Sequence, residues 1–276
     1  MAPVDKLLSL DMGTDDCLYR LRRDLSSTGT VIYVHLRTLD ILPADSLTYG
    51  PDLVKEFRLN VPNWNDESWT TLTVSREEGG EVKAVRDEWA PHFLTADAIT
   101  RELPRINVLG VEVTARLKNR VSRARLPGQE RRCILKTCPF AYQLRYFAQE
   151  VRAYEALCER QCDLVPRLEA YVFERSEEQV VGFVCEEVEG RFTGPEDYEE
   201  CRRGVEKLHE FGVVHGDLNK YNIIMGTDGP RFIDLEKAVV DTQVSGDEFS
   251  RLRIEELGGL ENTLNDEEGW GKPWKG

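Results

Sequence analysis

The sequence predicts an α+β protein in which a strand-rich N-terminal region precedes a region of strands, helices and polar loops. Three observations predict this class. Short apolar strand patterns recur before residue 90, a helical pattern covers residues 142–158, and polar loops flanked by apolar runs occupy residues 212–234. Strands and helices that occur together without a regular strand–helix alternation fit the α+β class.

The first predicted unit, residues 1–104, is a β-rich extension. Its strand-like segments alternate or are rich in β-branched residues: Val31–Leu36, Glu56–Val61, Trp69–Ser75 and Glu81–Val85. A helix is predicted near Asp5 to Asp24. The segment Asp87–Pro104 contains two prolines, which indicates the connection to the next unit.

Residues 105–188 form the second predicted unit, and residues 189–276 form the third. The elements predicted for the second unit are a hairpin at Val111–Leu117 and Val121–Leu126, a strand at Arg132–Lys136, a helix at about Tyr142–Cys158 and a strand at Gln179–Cys185. Those predicted for the third are a helix at Pro195–Glu210, strands at Ile223–Met225 and Arg231–Ile233, a helix at Gly246–Leu257 and an irregular end at Trp270–Gly276.

The most informative segment is His215-Gly216-Asp217-Leu218-Asn219-Lys220-Tyr221-Asn222, which is followed twelve residues later by Asp234. It supplies a carboxylate that can accept a hydroxyl proton and two oxygen ligands for a divalent metal ion. Apolar runs bracket both pieces, so the polar residues are predicted to lie on a loop and at the end of a strand. Phosphoryl transfer needs these groups, because the protein mainly holds Mg²⁺ against the phosphates and positions the attacking oxygen.

This segment resembles the catalytic loop and metal-binding segment of the protein-kinase-like superfamily, in which a His-x-Asp-x-x-x-x-Asn loop precedes an Asp-Phe-Gly-type segment. The wording is closest to the small-molecule and atypical branches: aminoglycoside and choline phosphotransferases, lipopolysaccharide kinases and RIO kinases. Most of the chain also resembles fungal kinase-like proteins of unassigned substrate. The resemblance implies a two-lobed protein-kinase-like fold with a β-rich N-terminal extension on the small lobe and a truncated C-lobe.

The resemblance also implies roles for residues of the loop. Asp217 would be the catalytic base, Asn222 and Asp234 would bind Mg²⁺, and His215 would brace the loop. The spacing of five residues between Asp217 and Asn222 matches the family pattern. One departure is Leu235-Glu236, where most kinases have Phe-Gly, and it argues against a Phe-based activation switch.

Upstream partners complete the pattern. Kinases use a strand lysine for the α- and β-phosphates and a helix glutamate to hold that lysine. Lys136 ends an apolar strand, and Glu150 lies on the predicted helix where the family's glutamate falls, with Glu155 as the alternative. By themselves, a lysine at a strand end and a helix glutamate are usually solvated charges, and only their order and spacing relative to Asp217 favour a role.

The segment Glu186–Gly190, which follows the predicted strand Gln179–Cys185, resembles the linker between kinase lobes. The resemblance implies that the carbonyl of Glu186 and the amide of Val188 bind adenine, with Cys185 at the back of the pocket. An ordinary strand followed by an acidic turn is the open alternative, since the backbone does the binding.

The chain departs from the family most clearly in its first hairpin, which has no Gly-x-Gly-x-x-Gly pattern. Eight cations fall instead within twenty-one residues: Arg116, Lys118, Arg120, Arg123, Arg125, Arg131, Arg132 and Lys136. We hypothesise that Lys118 and Arg120 replace missing amide donors around the triphosphate; a solvated basic hairpin is the alternative. Lys220 is a second candidate cation for the transferred phosphoryl group, displaced by one position from the usual kinase lysine, a place held here by Asn219.

Composition limits the remaining function classes. The chain has 276 residues and a formal charge of −14, with a sequence pI of about 4.9, which disfavours general binding to nucleic acid. No apolar run approaches the roughly 20 residues of a membrane span, and the first residues lack a signal-peptide pattern. Seven cysteines without repeated spacing predict reduced thiols and a cytoplasmic protein.

These features together predict an ATP- and Mg²⁺-dependent phosphotransferase that acts on a hydroxyl group. Only 38 residues follow Ala238, too few for the peptide platform of a eukaryotic protein kinase. A small-molecule acceptor is therefore predicted in preference to a protein. Three alternatives stay open: an atypical protein kinase, a kinase-like pseudoenzyme that works as a scaffold, and a kinase fold diverted to adenylylation or phosphate-activated condensation.

Overall fold

Sixteen strands and four helices follow one another in a computed structural model that describes residues 4–24, 29–66 and 68–266. The strands are β1 Val4–Met12, β2 Cys17–Asp24, β3 Thr30–Leu36, β4 Thr71–Arg76, β5 Val82–Arg86, β6 Arg105–Asn107, β7 Glu112–Arg116, β8 Val121–Arg125, β9 Arg132–Thr137, β10 Leu168–Phe173, β11 Val180–Glu186, β12 Arg191–Phe192, β13 Val213–Val214, β14 Ile223–Gly226, β15 Gly229–Phe232 and β16 Val239–Val240. The helices are α1 Gly50–Asn60, α2 Leu144–Glu159, α3 Tyr198–Glu210 and α4 Gly246–Asn265. The irregular end predicted at Trp270–Gly276 lies outside the described residues.

The N-terminal strands form a five-stranded sheet in the order β1-β2-β3-β4-β5, in which only β3 and β4 run parallel. Helix α1 packs against it, and its core is aromatic: Phe57 stacks on Trp64 with ring centroids 4.6 Å apart. The buried guanidinium of Arg23 bonds Asp5 at 3.0 Å and lies 4.4 Å from the ring of Trp69. This unit therefore has a core of its own.

Two sequence predictions for this unit are wrong. The helix expected near Asp5 to Asp24 is the β1–β2 hairpin. Alternate residues of its second strand, Cys17, Tyr19 and Leu21, face the core of the N-terminal unit, whereas Arg20 is buried against Glu174. This alternation is a period of two, which a helix cannot satisfy. The strand expected at Glu56–Val61 lies mostly in α1, because Leu53, Val54 and Phe57 share one helical face that begins before the six-residue window.

The second sheet has six strands in the order β6-β10-β11-β9-β8-β7. Helix α2 covers one face, where Phe147 stacks on Phe183 with centroids 5.6 Å apart. The first sheet covers the opposite face through Val31 and Tyr33, which pack against residues of β8 to β11. A buried polar contact joins the two sheets: Arg20 pairs with Glu174 at 2.5 Å, and the Tyr33 hydroxyl donates to the same carboxylate at 2.6 Å. The second sheet is thus enclosed on both faces.

The remaining residues form a smaller β layer and two helices. Strands β12, β14 and β15 make a three-stranded sheet, and β13 pairs with β16. Helices α3 and α4 pack together beside them, with Cys201, Val205, Leu208 and Leu260 in a core continuous with that of α2. Every strand and helix predicted between residues 111 and 257 is present, whereas β6, β10, β12, β13 and β16 were not predicted.

Two further observations bear on the class of protein. Among the described residues, no helix has both the length and the apolar character required to cross a bilayer. All seven cysteines are free thiols, and six of them are buried.

Candidate active site

Lys136 lies near the end of β9, a central strand of the second sheet. Because neighbouring residues of a strand point to opposite faces, Leu135 packs toward the first sheet while Lys136 points toward α2. The Lys136 ammonium lies 2.8 Å from Glu150, 2.6 Å from Asp234 and 2.8 Å from Glu236. Three residues predicted for the site therefore lie together: the buried cation Lys136 and the carboxylates of Glu150 and Asp234. Glu236, which was not predicted to take part, joins them.

The charges in this cluster shift one another's pKa. Burial alone would raise the pKa of Asp234, but the positive charge of Lys136 and its hydrogen bond hold it at about 2. Burial likewise opposes the charge on Lys136, yet the surrounding carboxylates keep its pKa above the ordinary value. For Glu150, burial is the larger effect, so its pKa is raised although Lys136 opposes the rise. Asp234 and Lys136 are thus both ionised at neutral pH.

The loop that carries Asp217 is held by its own polar side chains. The Asn222 amide donates to the Asp217 carbonyl at 3.0 Å, and the Asp217 amide donates to Nδ1 of His215 at 3.3 Å. The other ring nitrogen of His215 donates to the carbonyl of Ile233 at 3.0 Å. Gly216 has φ +75°, and a Cβ there would collide with the carbonyl oxygen of Lys237. These bonds join the loop to the segment that carries Asp234, and they make His215 a bracing residue.

The hairpin of β14 and β15 brings the two predicted metal ligands to the same cleft. Ile223 pairs with Phe232, and the amide of Ile233 donates to the carbonyl of Asn222 at 2.9 Å. Asn222 is buried, and among the described residues no group bonds its Oδ1. Asp234 has φ +66°, a conformation that a non-glycine residue adopts at a cost and that often marks a functional site. An unpaired buried acceptor and an ionised carboxylate in one cleft suit a divalent cation.

Comparison with known families agrees with this geometry. A family model described as the RIO domain, an atypical kinase domain, matches residues 186–252, which span the segment after β11, the Asp217 loop, Asp234 and the start of α4. The chain has a protein-kinase-like fold. This confirms the predicted α+β, kinase-like class with a β-rich N-terminal region, and it supports nucleotide-dependent phosphoryl transfer in general. Among curated proteins, none matches the chain.

The second sheet with α2 forms the small lobe, and the layer of β12, β14 and β15 belongs to the large lobe. A cavity of about 360 Å³ lies between them. Its walls include Lys136, Asn222 and Asp234, and also Cys185, Glu186 and Val188. Lys118 of the hairpin turn also lines it, and the charge of Lys118 contributes to the low pKa of Asp234. Two of the cations predicted to bind phosphate, Lys118 and Lys136, therefore share one space with the predicted metal ligands and the predicted adenine-binding segment.

Arg120 takes a different position from Lys118. It pairs with Glu236 at 2.5 Å and lines a second cavity of about 300 Å³ that also contains Asp217, Asp234 and Lys237. Burial would raise the pKa of Glu236, but Lys136 and Arg120 outweigh it and lower the pKa. The charge of Arg120 is thus neutralised within the protein, so its predicted contact with the triphosphate stays a hypothesis.

Two other predicted residues lie away from the reacting groups. Glu155, the alternative to Glu150, is buried against the backbone amide of Thr100 and the hydroxyl of Tyr171, at 2.8 and 2.6 Å. The ammonium of Lys220 lies 5.5 Å from the ring of Tyr221. A different lysine, Lys237, contacts Asp217 at 2.8 Å. Lys220 lines neither of the two cavities, and its predicted contact with the transferred phosphoryl group stays a prediction.

Sequence reasoning also missed Glu256 of α4. Its buried carboxylate accepts from the backbone amides of His215 and Gly216 at 3.1 and 2.7 Å, and from the ring of His209 at 2.7 Å. Burial would raise the pKa of Glu256, but these donors and the nearby His215 lower it. No motif identifies this residue, because it lies forty residues beyond the loop that it holds.

Proposed function

We propose that this protein is an ATP- and Mg²⁺-dependent phosphotransferase that acts on a hydroxyl group. The observation that carries the proposal is the convergence of Lys136, Glu150, Asn222 and Asp234 on the interlobe cavity, with Asp217 in the adjoining one. These side chains come from a strand, a helix and two loops. Phosphoryl transfer requires this combination of one phosphate-binding cation, oxygen ligands for a metal ion and a base.

In the proposed complex, Lys136 holds the α- and β-phosphates and Glu150 orients Lys136. The contacts of Asp234 and Glu236 oxygens with the Lys136 ammonium support a role of this ammonium in holding anionic oxygen. Asn222 and Asp234 would hold Mg²⁺, which when bound neutralises charge on the phosphates. The carbonyl of Glu186 and the amide of Val188 would bond the adenine edge, with Cys185 behind it.

The proposed reaction is an in-line displacement at the γ-phosphorus. The acceptor oxygen forms a bond to the γ-phosphorus while the bond from that phosphorus to the β–γ bridging oxygen breaks, and ADP leaves with the bonding electron pair. Asp217 orients the acceptor hydroxyl and takes its proton. Asp217 needs to lie within hydrogen-bond reach of that hydroxyl, and its carboxylate lines the second cavity.

A small molecule is the proposed acceptor. The second cavity, about 300 Å³, is walled by Tyr142 and Tyr146 beside Asp217 and adjoins the first at Asp234. A cavity at the lower end of the size range for ligand sites favours a small hydroxylated metabolite over a long peptide. A cytoplasmic location stays part of the proposal, in keeping with the seven free thiols.

The test is phosphate release and transfer from ATP in the presence of Mg²⁺, with a panel of alcohol-bearing metabolites. Asp217→Asn should lower turnover by about 10²- to 10⁴-fold while leaving ATP affinity, measured by calorimetry, unchanged. Asp228→Asn in the exposed β14–β15 turn is the matched control. If the protein binds ATP but shows no turnover, or only turnover that Asp217→Asn leaves unchanged, it is a pseudoenzyme. Transfer to proteins alone would indicate an atypical protein kinase.

A further inference from the structure

The Asp217 carboxylate has a cationic neighbour that lies outside the catalytic loop. The ammonium of Lys237, three residues beyond Asp234, lies 2.8 Å from Asp217 Oδ1. Lys237 also lines the second cavity, in which the acceptor hydroxyl would approach Asp217. The pair is exposed on both sides, at 58% for Lys237 and 42% for Asp217. An exposed pair of this kind contributes only about 0–1 kcal/mol to stability, so stability does not explain its placement.

The backbone fixes Lys237 relative to the loop. Its carbonyl oxygen packs so closely against Gly216 that only glycine fits there. The next residue, Ala238, donates its amide to Leu235 at 3.1 Å and accepts from the Gln149 side chain at 2.6 Å. The Lys237 side chain therefore begins from a defined position, on a residue whose own backbone contacts the catalytic loop.

Other polar side chains near Asp217 are engaged elsewhere. Asn219 donates to the Asp217 carbonyl at 3.3 Å and accepts from the Tyr221 amide at 3.0 Å, so it serves the loop backbone. Lys220 lies against the Tyr221 ring. Among the described cations that line the second cavity, Arg120 is paired with Glu236. Lys237 is the cation placed beside both the base and the acceptor space.

Resting on the proposed function, we infer that Lys237 positions Asp217 before the reaction and donates a hydrogen bond to the transferred phosphoryl group during it. As the acceptor oxygen approaches the γ-phosphorus, negative charge accumulates between Asp217 and Asp234, and an ammonium group there stabilises it. Lys237 keeps all its protons and forms no covalent bond. The proton of the acceptor still passes to Asp217, and the leaving group is still ADP.

The test compares Lys237→Met and Lys237→Arg with wild type. The matched control is Lys207→Met, which removes another exposed lysine–carboxylate pair, Lys207 with Asp163 at 3.0 Å, away from both cavities. Lys237→Met should lower kcat by about 10- to 100-fold with ATP affinity unchanged, because the hydrogen bond from Lys237 to the transferred phosphoryl group forms mainly in the transition state. Lys237→Arg should recover part of the rate, and Lys207→Met should behave as wild type.

A second readout does not depend on turnover. Binding of ADP with Mg²⁺ and aluminium fluoride, which imitates the transferring phosphoryl group, should weaken by a similar factor in Lys237→Met, while binding of ADP alone stays the same. Wild-type rates and wild-type affinity for the fluoride complex in Lys237→Met would overturn the role of Lys237 and leave the proposed function intact. If the wild-type protein shows no turnover, or only turnover that Asp217→Asn leaves unchanged, both the role of Lys237 and the proposed function are overturned.

Discussion

Replacing Glu256 by glutamine tests how helix α4 supports the loop that carries Asp217. The carboxylate of Glu256 accepts three hydrogen bonds, from the amides of His215 and Gly216 and from the ring of His209. The substituted side chain keeps the shape of the original but presents one amide nitrogen where an acceptor is needed. At least one donor then faces another donor, in a site where the original carboxylate is 7% exposed.

The magnitude follows from that count. Leaving one buried donor unsatisfied costs about 1–3 kcal/mol, and hydrogen bonds to a charged acceptor contribute about 1.5–3 kcal/mol each. One carboxylate oxygen accepts the bonds from the buried residues His209 and His215, and the other accepts the bond from Gly216, which is exposed. The surviving oxygen can keep both buried bonds, so we expect Glu256→Gln to lower the free energy of unfolding by about 1–2 kcal/mol. Glu255→Gln, one position away on the exposed face and paired with Arg251, is the matched control and should cost about 0.5 kcal/mol or less.

The assay is urea unfolding of both variants at several pH values. The pKa of Glu256 is lower in the folded protein than its ordinary value of 4.5. Its charged form therefore stabilises the fold above the unfolded-state pKa, and this contribution is lost as pH falls through the folded-state pKa. The difference between wild type and Glu256→Gln should accordingly narrow below about pH 4. Equal unfolding free energies for Glu256→Gln and Glu255→Gln at pH 7 would refute the reasoning.

Three further predictions concern stability and nucleotide binding. The pKa of Glu150 is higher in the folded protein than its ordinary value, so the wild-type free energy of unfolding should fall as pH rises from about 5 to about 8. Urea unfolding of Glu150→Gln at the same pH values should not show this fall. Arg20→Met leaves the buried Glu174 carboxylate without its cation and should lower the unfolding free energy by about 3–5 kcal/mol; the neighbouring exposed pair removed by Arg22→Met should cost less than about 1 kcal/mol. Lys118→Ala should weaken ATP affinity in calorimetry by about three- to tenfold, and an unchanged affinity would remove Lys118 from the phosphate site.

The sequence could indicate those site residues that lie at characteristic distances from one another along the chain. Asp217, Asn222 and Asp234 lie on a loop and a hairpin within eighteen residues, and Lys136 with Glu150 lie on a strand and the helix that follows it. Local patterns therefore determine where each of these side chains begins. The structure brings all five to adjoining cavities.

Other features depend on packing between distant segments and leave no local pattern. Glu256 reaches the loop that carries Asp217 because α4 packs on α3. Glu236 and Lys237 follow Asp234, the predicted metal ligand, in a segment where the sequence analysis noted only the departure from Phe-Gly. In the N-terminal unit, the segment Glu56–Val61 alternates like a strand, but the apolar face of α1 decides its structure. Short windows cannot distinguish a period of two from one of 3.6.

Calorimetric titration of ATP, with Mg²⁺ or with EDTA, tests the central claim most directly, because it needs no acceptor. The claim is that Lys136, Asn222 and Asp234 form one site for a magnesium–nucleotide complex. Wild type should bind ATP at least about tenfold more tightly with Mg²⁺, a difference of about 1.4 kcal/mol, and Asp234→Asn should lose that advantage. Equal affinities with and without Mg²⁺ in wild type, or an advantage that Asp234→Asn retains, would contradict the claim.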